Sequence, residues 1–256
     1  GLDGRMLGFV GNFTCHCTLR GGREFSADYP GALSEGMLRL TGAPLVFLSG
    51  AMGDLTQVNR DVGFDHPLVG QPVIARFANK LAGESAKLLA DMHFSRNIPL
   101  GVATDILSIP FRVPDPNQLR DDELVVASAG RDDYSREIVF ARERLLLRKY
   151  IESHETARCE VKCLCFGNLA IAASPGQMFC ALGLAIKEQS PFEATMVASI
   201  ANGNIGYVPT VEAIEKGGYE SALCRGSRSA ADAGDRIVAS SERLLQSLHA
   251  SVSAHG

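Results

Sequence analysis

The sequence predicts an α/β fold, a mixed β-sheet covered by helices in a single layered domain. Three observations predict it. Short apolar runs of strand length alternate with longer stretches of helical spacing through most of the chain. Glycine- and proline-containing turns separate them. The 256 residues are 46% hydrophobic, enough to bury one sizeable core, and no internal repeat or linker interrupts them.

The elements follow in order. Met6 to Thr18 reads as a strand, with Leu7, Phe9 and Val10 at its start. Asp28-Tyr29-Pro30 marks a helix start, Asp28 as a cap and Pro30 in the first turn; Ala32, Leu33, Met37 and Leu40 form its buried side and Gly42 ends it. Pro44 to Ser49 is continuously apolar, the pattern of a strand buried on both faces, and the tight loop Gly50-Ala51-Met52-Gly53-Asp54 follows. A helix runs from Val73 to Met92. A strand spans Leu100 to Val113 until Pro114-Asp115-Pro116-Asn117 breaks it. A charged helix covers Ser135 to Glu152. Arg158–Phe166 and Leu169–Ala173 form a hairpin around Gly167-Asn168. Then come a helix from Gln177 to Lys187, a strand from Ala194 to Ala201, a loop over Asn202–Tyr207 and a last helix from Ala230 to Ala250.

Composition excludes some functions. Charged residues make up 21% and the net charge is −4, without the basic footprint of a protein that grips nucleic-acid phosphates. The seven cysteines include Cys15-His16-Cys17 and Cys163-Leu164-Cys165 but no CxxC pair, so zinc-ribbon and thioredoxin spacings are absent; most read as small buried hydrophobes. The uncharged run from Phe166 to Ile186 is broken by Asn168 and by Ser174-Pro175-Gly176-Gln177, which fits a strand, a turn and a helix rather than a membrane span. No signal-peptide pattern is visible at the start, where the chain opens abruptly on Gly1-Leu2-Asp3-Gly4 and runs straight into an apolar strand.

Candidate chemistry is sparse. In a strand, His16 would point away from Cys15 and Cys17, so the three would not share one metal. His16 could ligate zinc, act as a base or be a satisfied core histidine. Asp54 and Thr56 follow a buried strand, where chemistry often sits; an Asp there also commonly bonds its own backbone, and Thr56 could be a nucleophile only with a base or metal. Tyr207 and Tyr219 lie in glycine-containing loops and could bind a metal, donate a proton or simply pack. His66, His93, His154, His249 and His255 have no ligand-like spacing. No P-loop, GxSxG, HExxH or dinucleotide fingerprint occurs.

Four segments, taken together and in order, resemble the neutral/alkaline, non-lysosomal ceramidase family. They are Asn12–Thr18, Ser26–Gly31, Phe47–Asp54 and Ala201–Thr210, with Pro175-Gly176-Gln177 and Gly217–Glu220 also in register. The resemblance runs from about residue 5 to residue 248. It implies a zinc hydrolase that cleaves an N-acyl amide, such as ceramide, to a fatty acid and an amine. It implies zinc ligation by His16 and Tyr207, assistance to the tetrahedral intermediate by Tyr219, and a Gly53-Asp54-Leu55-Thr56 loop in which Asp54 and Thr56 take catalytic or substrate-binding roles. Family members are often exported or membrane-associated; the compartment and oligomeric state stay open.

Two departures qualify it. Gln177 stands where the family carries a zinc-binding glutamate, and a neutral amide cannot offset the charge of the metal. The upstream histidine motif of the family is missing, so residues 1–256 are expected to be a ceramidase-like catalytic-type domain lacking it. Two other readings follow: a degenerate, non-catalytic relative acting as a binding or scaffold module, and a cysteine enzyme using Cys15 or Cys17.

Overall fold

The computed structural model describes residues 1, 3–57 and 70–253; His66 and His255 lie outside them. The chain is α/β, with seven helices and a mixed four-stranded sheet among the described residues. Its contacts divide into two compact units, Gly1–Gly50 with Leu55–Ile98, and Ala51–Asp54 with Pro99–Gly256.

The first unit is a βαβ motif followed by a helix. β1 (Phe9–Phe13) and β2 (Leu45–Ser49) pair in parallel, with Phe9 opposite Leu45 and Phe13 opposite Ser49. The crossover is α1 (Asp28–Thr41), and α2 (Gln71–Ala90) packs on it. β1 is shorter than the expected Met6–Thr18 strand because the ladder ends where its partner ends, at Ser49. β2 is not buried on both faces: Val46 is 57% exposed, as is Val10 across from it at 45%. The inner faces close on Tyr29, whose ring meets Phe13, Phe47 and Phe77 edge-on at 6.2, 5.8 and 4.9 Å. The Tyr29 hydroxyl donates to the Cys15 carbonyl at 3.0 Å. At the start of α1, the Asp28 carboxylate accepts from the Tyr29 amide, and also from the Arg20 amide of the preceding loop, each at 2.7 Å. Gly42, at φ +72°, ends α1 as expected.

The second unit is built on β3 (Leu100–Pro110), β4 (Thr156–Phe166), β5 (Leu169–Ala173) and β7 (Ala194–Ala198), in that spatial order. β3, β4 and β5 run antiparallel and β7 joins β5 in parallel, which makes the sheet mixed. β4 alternates as a half-buried strand should: Ala157, Cys159, Val161, Cys163 and Cys165 are buried. Helix α7 (Ala233–Ser253) lies against β3 and β4 through Ile237, Val238, Leu244, Leu245 and Leu248. Between β3 and β4 come α3 (Pro116–Ser128) and α4 (Arg136–Ile151), joined by a bidentate Arg144–Asp122 ion pair at 2.6 and 2.7 Å. The expected helix from Gln177 is instead a two-residue strand, β6 (Gln177–Met178), followed by α5 (Cys180–Gln189). β6 pairs in parallel with β8 (Tyr207–Val208), and α6 (Val211–Lys216) follows.

Candidate functional site

The β6–β8 ladder brings two of the expected residues together. Gln177 and Tyr207 are register partners, as are Met178 and Val208. Met178 and Val208 are fully buried, so alternation turns Gln177 and Tyr207 to the opposite, half-buried face. Backbone bonds fix the pair: Gln177 N–H to Gly206 O at 2.9 Å, Phe179 N–H to Val208 O at 3.1 Å and Tyr207 N–H to Gly226 O at 2.8 Å.

Tyr219, on the turn after α6 that Ala222 N–H to Gly218 O closes at 3.1 Å, lies within electrostatic reach of Tyr207. Its ring packs edge-on against Phe140 of α4 at 5.8 Å, and 58% of the residue is exposed. The Tyr207 phenol is pushed up, first by burial and then by Tyr219, Glu220 and Cys224 nearby. It therefore stays protonated near neutral pH, a donor rather than a phenolate. Glu220, the last residue of the Gly217–Glu220 motif, and Cys224, which carried no spacing signal, thus belong to the surroundings of Tyr207. The same loop is tied to α4 by a bidentate Arg225–Glu143 pair at 2.6 and 3.0 Å. Arg112, just beyond β3, donates to the Ser221 carbonyl at 3.0 Å and to the Ser227 carbonyl and hydroxyl at 2.7 and 3.0 Å.

The glycine-rich loop is seated on β6. Gly53 N–H donates to Met178 O at 2.7 Å, and a β-carbon at Gly53 would come within 2.5 Å of Gln177 O. The Asp54 carboxylate accepts from the Cys180 amide at 2.6 Å, capping α5 in place of Phe179, which has no capping side chain. Asp54 thus holds the loop to the segment that carries Gln177.

His16 and Thr56 belong to the first unit. His16 lies in the loop after β1, half-buried and not in a strand, because the β1–β2 ladder has already ended at Phe13. Thr56 is exposed in the loop after β2. Parallel pairing puts both loops at the same, C-terminal end of their strands, where α/β proteins carry ligand sites. Gln57 links the segments, donating to Thr18 Oγ1 at 2.8 Å and accepting from the Cys15 thiol at 3.8 Å. The Cys15 and Cys17 thiols are both pushed up, chiefly by desolvation, which weighs against a thiolate nucleophile at either.

Two solved structures share this architecture. A neutral ceramidase from Pseudomonas aeruginosa superposes with a TM-score of 0.66 at 13% identity, over 96% of this chain and 45% of that one. A ceramidase complexed with C2 superposes at 0.65 and 11% identity, over 96% of this chain and 46% of that one. The fold is that of part of a ceramidase. This chain spans less than half the length of either solved chain. No family model and no curated protein matches it.

Among the described residues, no group of three or more His, Cys, Asp or Glu side chains is arranged to hold a metal ion. In the second unit, Gln177 and Tyr207 offer a neutral amide and a phenol. Zinc sites are built from four ligands, mostly imidazole, thiolate or carboxylate, so these two do not by themselves fit a tight zinc site. No helix among the described residues is long and apolar enough to cross a membrane.

Proposed function

We propose that this chain belongs to a ceramidase-type hydrolase that cleaves an N-acyl amide, a lipid amide such as ceramide or a smaller analogue, to a carboxylic acid and an amine. The observation that carries this reading is the Gln177–Tyr207 register pair with Tyr219 beside Tyr207, in a chain whose fold follows a neutral ceramidase over 96% of its length. Attack of water on an amide carbonyl builds negative charge on its oxygen, and the leaving amine needs a proton. Tyr207, held protonated by its surroundings, is suited to donate to that oxygen. Tyr219, half-exposed beside it, is suited to complete the pair or protonate the amine. Gln177 can donate through its amide nitrogen to the carbonyl from the same face. Zinc is the cofactor that the family resemblance implies, and Gln177, a neutral amide where that family carries a glutamate, would weaken its hold.

Gln177→Glu tests both chemistry and cofactor. In the full-length protein, purified without chelators and titrated with zinc, the variant is expected to bind zinc at least tenfold more tightly, because carboxylate offsets the metal charge. Tyr219→Phe is expected to lower kcat about 10–100-fold with KM little changed, as loss of one positioned donor does. Absence of turnover of any N-acyl amide by the zinc-supplemented protein would overturn the reading. A second reading, a non-catalytic binding module, is favoured by Gln177 itself. It predicts no gain in metal affinity or amidase activity from Gln177→Glu.

A further inference from the structure

The segment from Gly217 to Ser229 carries Tyr219, yet it contains no helix or extended strand of its own. Its position has to come from elsewhere. On one side it meets β8: Tyr207 N–H donates to Gly226 O at 2.8 Å, and Gly206 bridges Ser227. Gly206, at φ +89°, has Gly226 O where a β-carbon would stand, so the two strips of backbone lie in direct contact. On the other side the segment runs along the chain leaving β3. Phe111 bridges Ser229, Arg112 N–H donates to Arg228 O at 2.8 Å, and Ala230 N–H donates to Pro110 O at 2.8 Å.

Between these two seams sits the Arg112 guanidinium. Nη1 reaches Ser221 O at 3.0 Å, two residues past Tyr219; Nη2 reaches Ser227 O at 2.7 Å and Ser227 Oγ at 3.0 Å, one residue past Gly226. Ser221 and Ser227 are both buried. Burial pushes the Arg112 pKa down, and carbonyl oxygens rather than a carboxylate receive its protons among the described residues. A guanidinium remains charged under such conditions, and charge-assisted bonds to carbonyls are the stronger kind. The planar fork spans two carbonyls six residues apart in sequence, which a single ammonium on a flexible stem does not reproduce.

We propose that Arg112 is a positioning residue: by holding the carbonyls of Ser221 and Ser227 together, it fixes the loop so that Tyr219 stands beside Tyr207. The role rests on the proposed hydrolase function, in which Tyr219 works with Tyr207. Arg112 itself touches neither substrate nor reacting atoms in this scheme; it acts through Tyr219.

A double-mutant cycle on the intact protein tests it. Arg112→Met is expected to lower kcat for an N-acyl amide at least tenfold with KM within threefold, and to lower it less than twofold further when Tyr219 is already Phe. Multiplying losses in the double variant would overturn the proposal, since Arg112 would then act independently of Tyr219. Amide hydrogen exchange supplies a readout that does not need turnover. In Arg112→Met, protection of the Tyr207 and Ala222 amides is expected to fall at least tenfold while β4 and β5 amides keep theirs; unchanged protection at Tyr207 and Ala222 would equally overturn it. If the wild-type protein hydrolyses no N-acyl amide but the exchange result holds, the hydrolase function fails and the clamp stands. Should Arg112→Met not fold, Arg112→Lys keeps the charge, removes the fork and is read by the same measurements.

Discussion

Tyr29 shows how much one buried side chain organises around a loop. It is fully buried, its ring fills the space between three phenylalanines, and its hydroxyl meets the Cys15 carbonyl next to His16. Burial and the nearby Cys17 and Cys15 push its phenol well above the ordinary range, so it stays protonated and can donate to that carbonyl. Tyr29→Phe keeps the ring and leaves the Cys15 carbonyl unpaired. It is expected to cost about 1–2 kcal/mol, read as a lower urea midpoint at unchanged m-value. In the sequence, Tyr29 stood out only as part of a helix start, because its partners lie at Phe13, Phe47 and Phe77. His16 was legible as a residue but not as a conformation. A run of apolar and β-prone residues reads as one strand, whereas pairing stops at Phe13 for want of a partner beyond Ser49.

At the scale of elements, the glycine-rich loop and α5 form one device. Asp54 caps the helix from outside its own segment, and Gly53 lies flat on β6. Asp54→Ala is expected to cost about 1 kcal/mol, the usual value of a lost cap, with faster exchange at the Cys180 amide. Gly53→Ala is expected to cost more, because its β-carbon would press on Gln177 O at 2.5 Å and Met178 O at 2.9 Å, backbone atoms that cannot swing away. Thermal unfolding of the two variants side by side checks the order. The elements that escaped sequence reading had identifiable reasons. β6 and β8 are two residues each, too short for any period. α3 begins at Asp115-Pro116, a capping carboxylate and a first-turn proline, but two prolines in a row of turn residues read as a break.

For the molecule as a whole, electrostatics give a direction in pH. The Asp105 carboxyl is held low by Ser240 and Arg243, Glu143 by Arg225, and Glu160 by Lys162 and Arg158. Each has a folded pKa below its unfolded value. Their stabilisation is therefore present above the unfolded carboxylate range and lost as the pH falls through the lower, folded values. Urea midpoints are expected to hold near neutral pH and decline steadily between about pH 5 and 3. The decline should be shallow for each group, since the arginine of each pair is half or more exposed and screened. Salt is expected to flatten it.

The sequence by itself determined what depends on neighbours a few residues apart. The β4 alternation, the hairpin at Gly167-Asn168, the apolar stripe of α7 and the alternation of strands with helices all follow from local periodicity. The order of motifs also pointed to a ceramidase-like fold, which the superposition bears out. Only the tertiary structure decided which of the candidate residues meet. Gln177 faces Tyr207 across a two-residue ladder, Asp54 reaches an amide 126 positions away, and Arg112 grips carbonyls 109 and 115 positions away. Such contacts are set by chain closure over long loops, and a hydrogen bond between distant backbone segments leaves no periodic trace in the residues that make it.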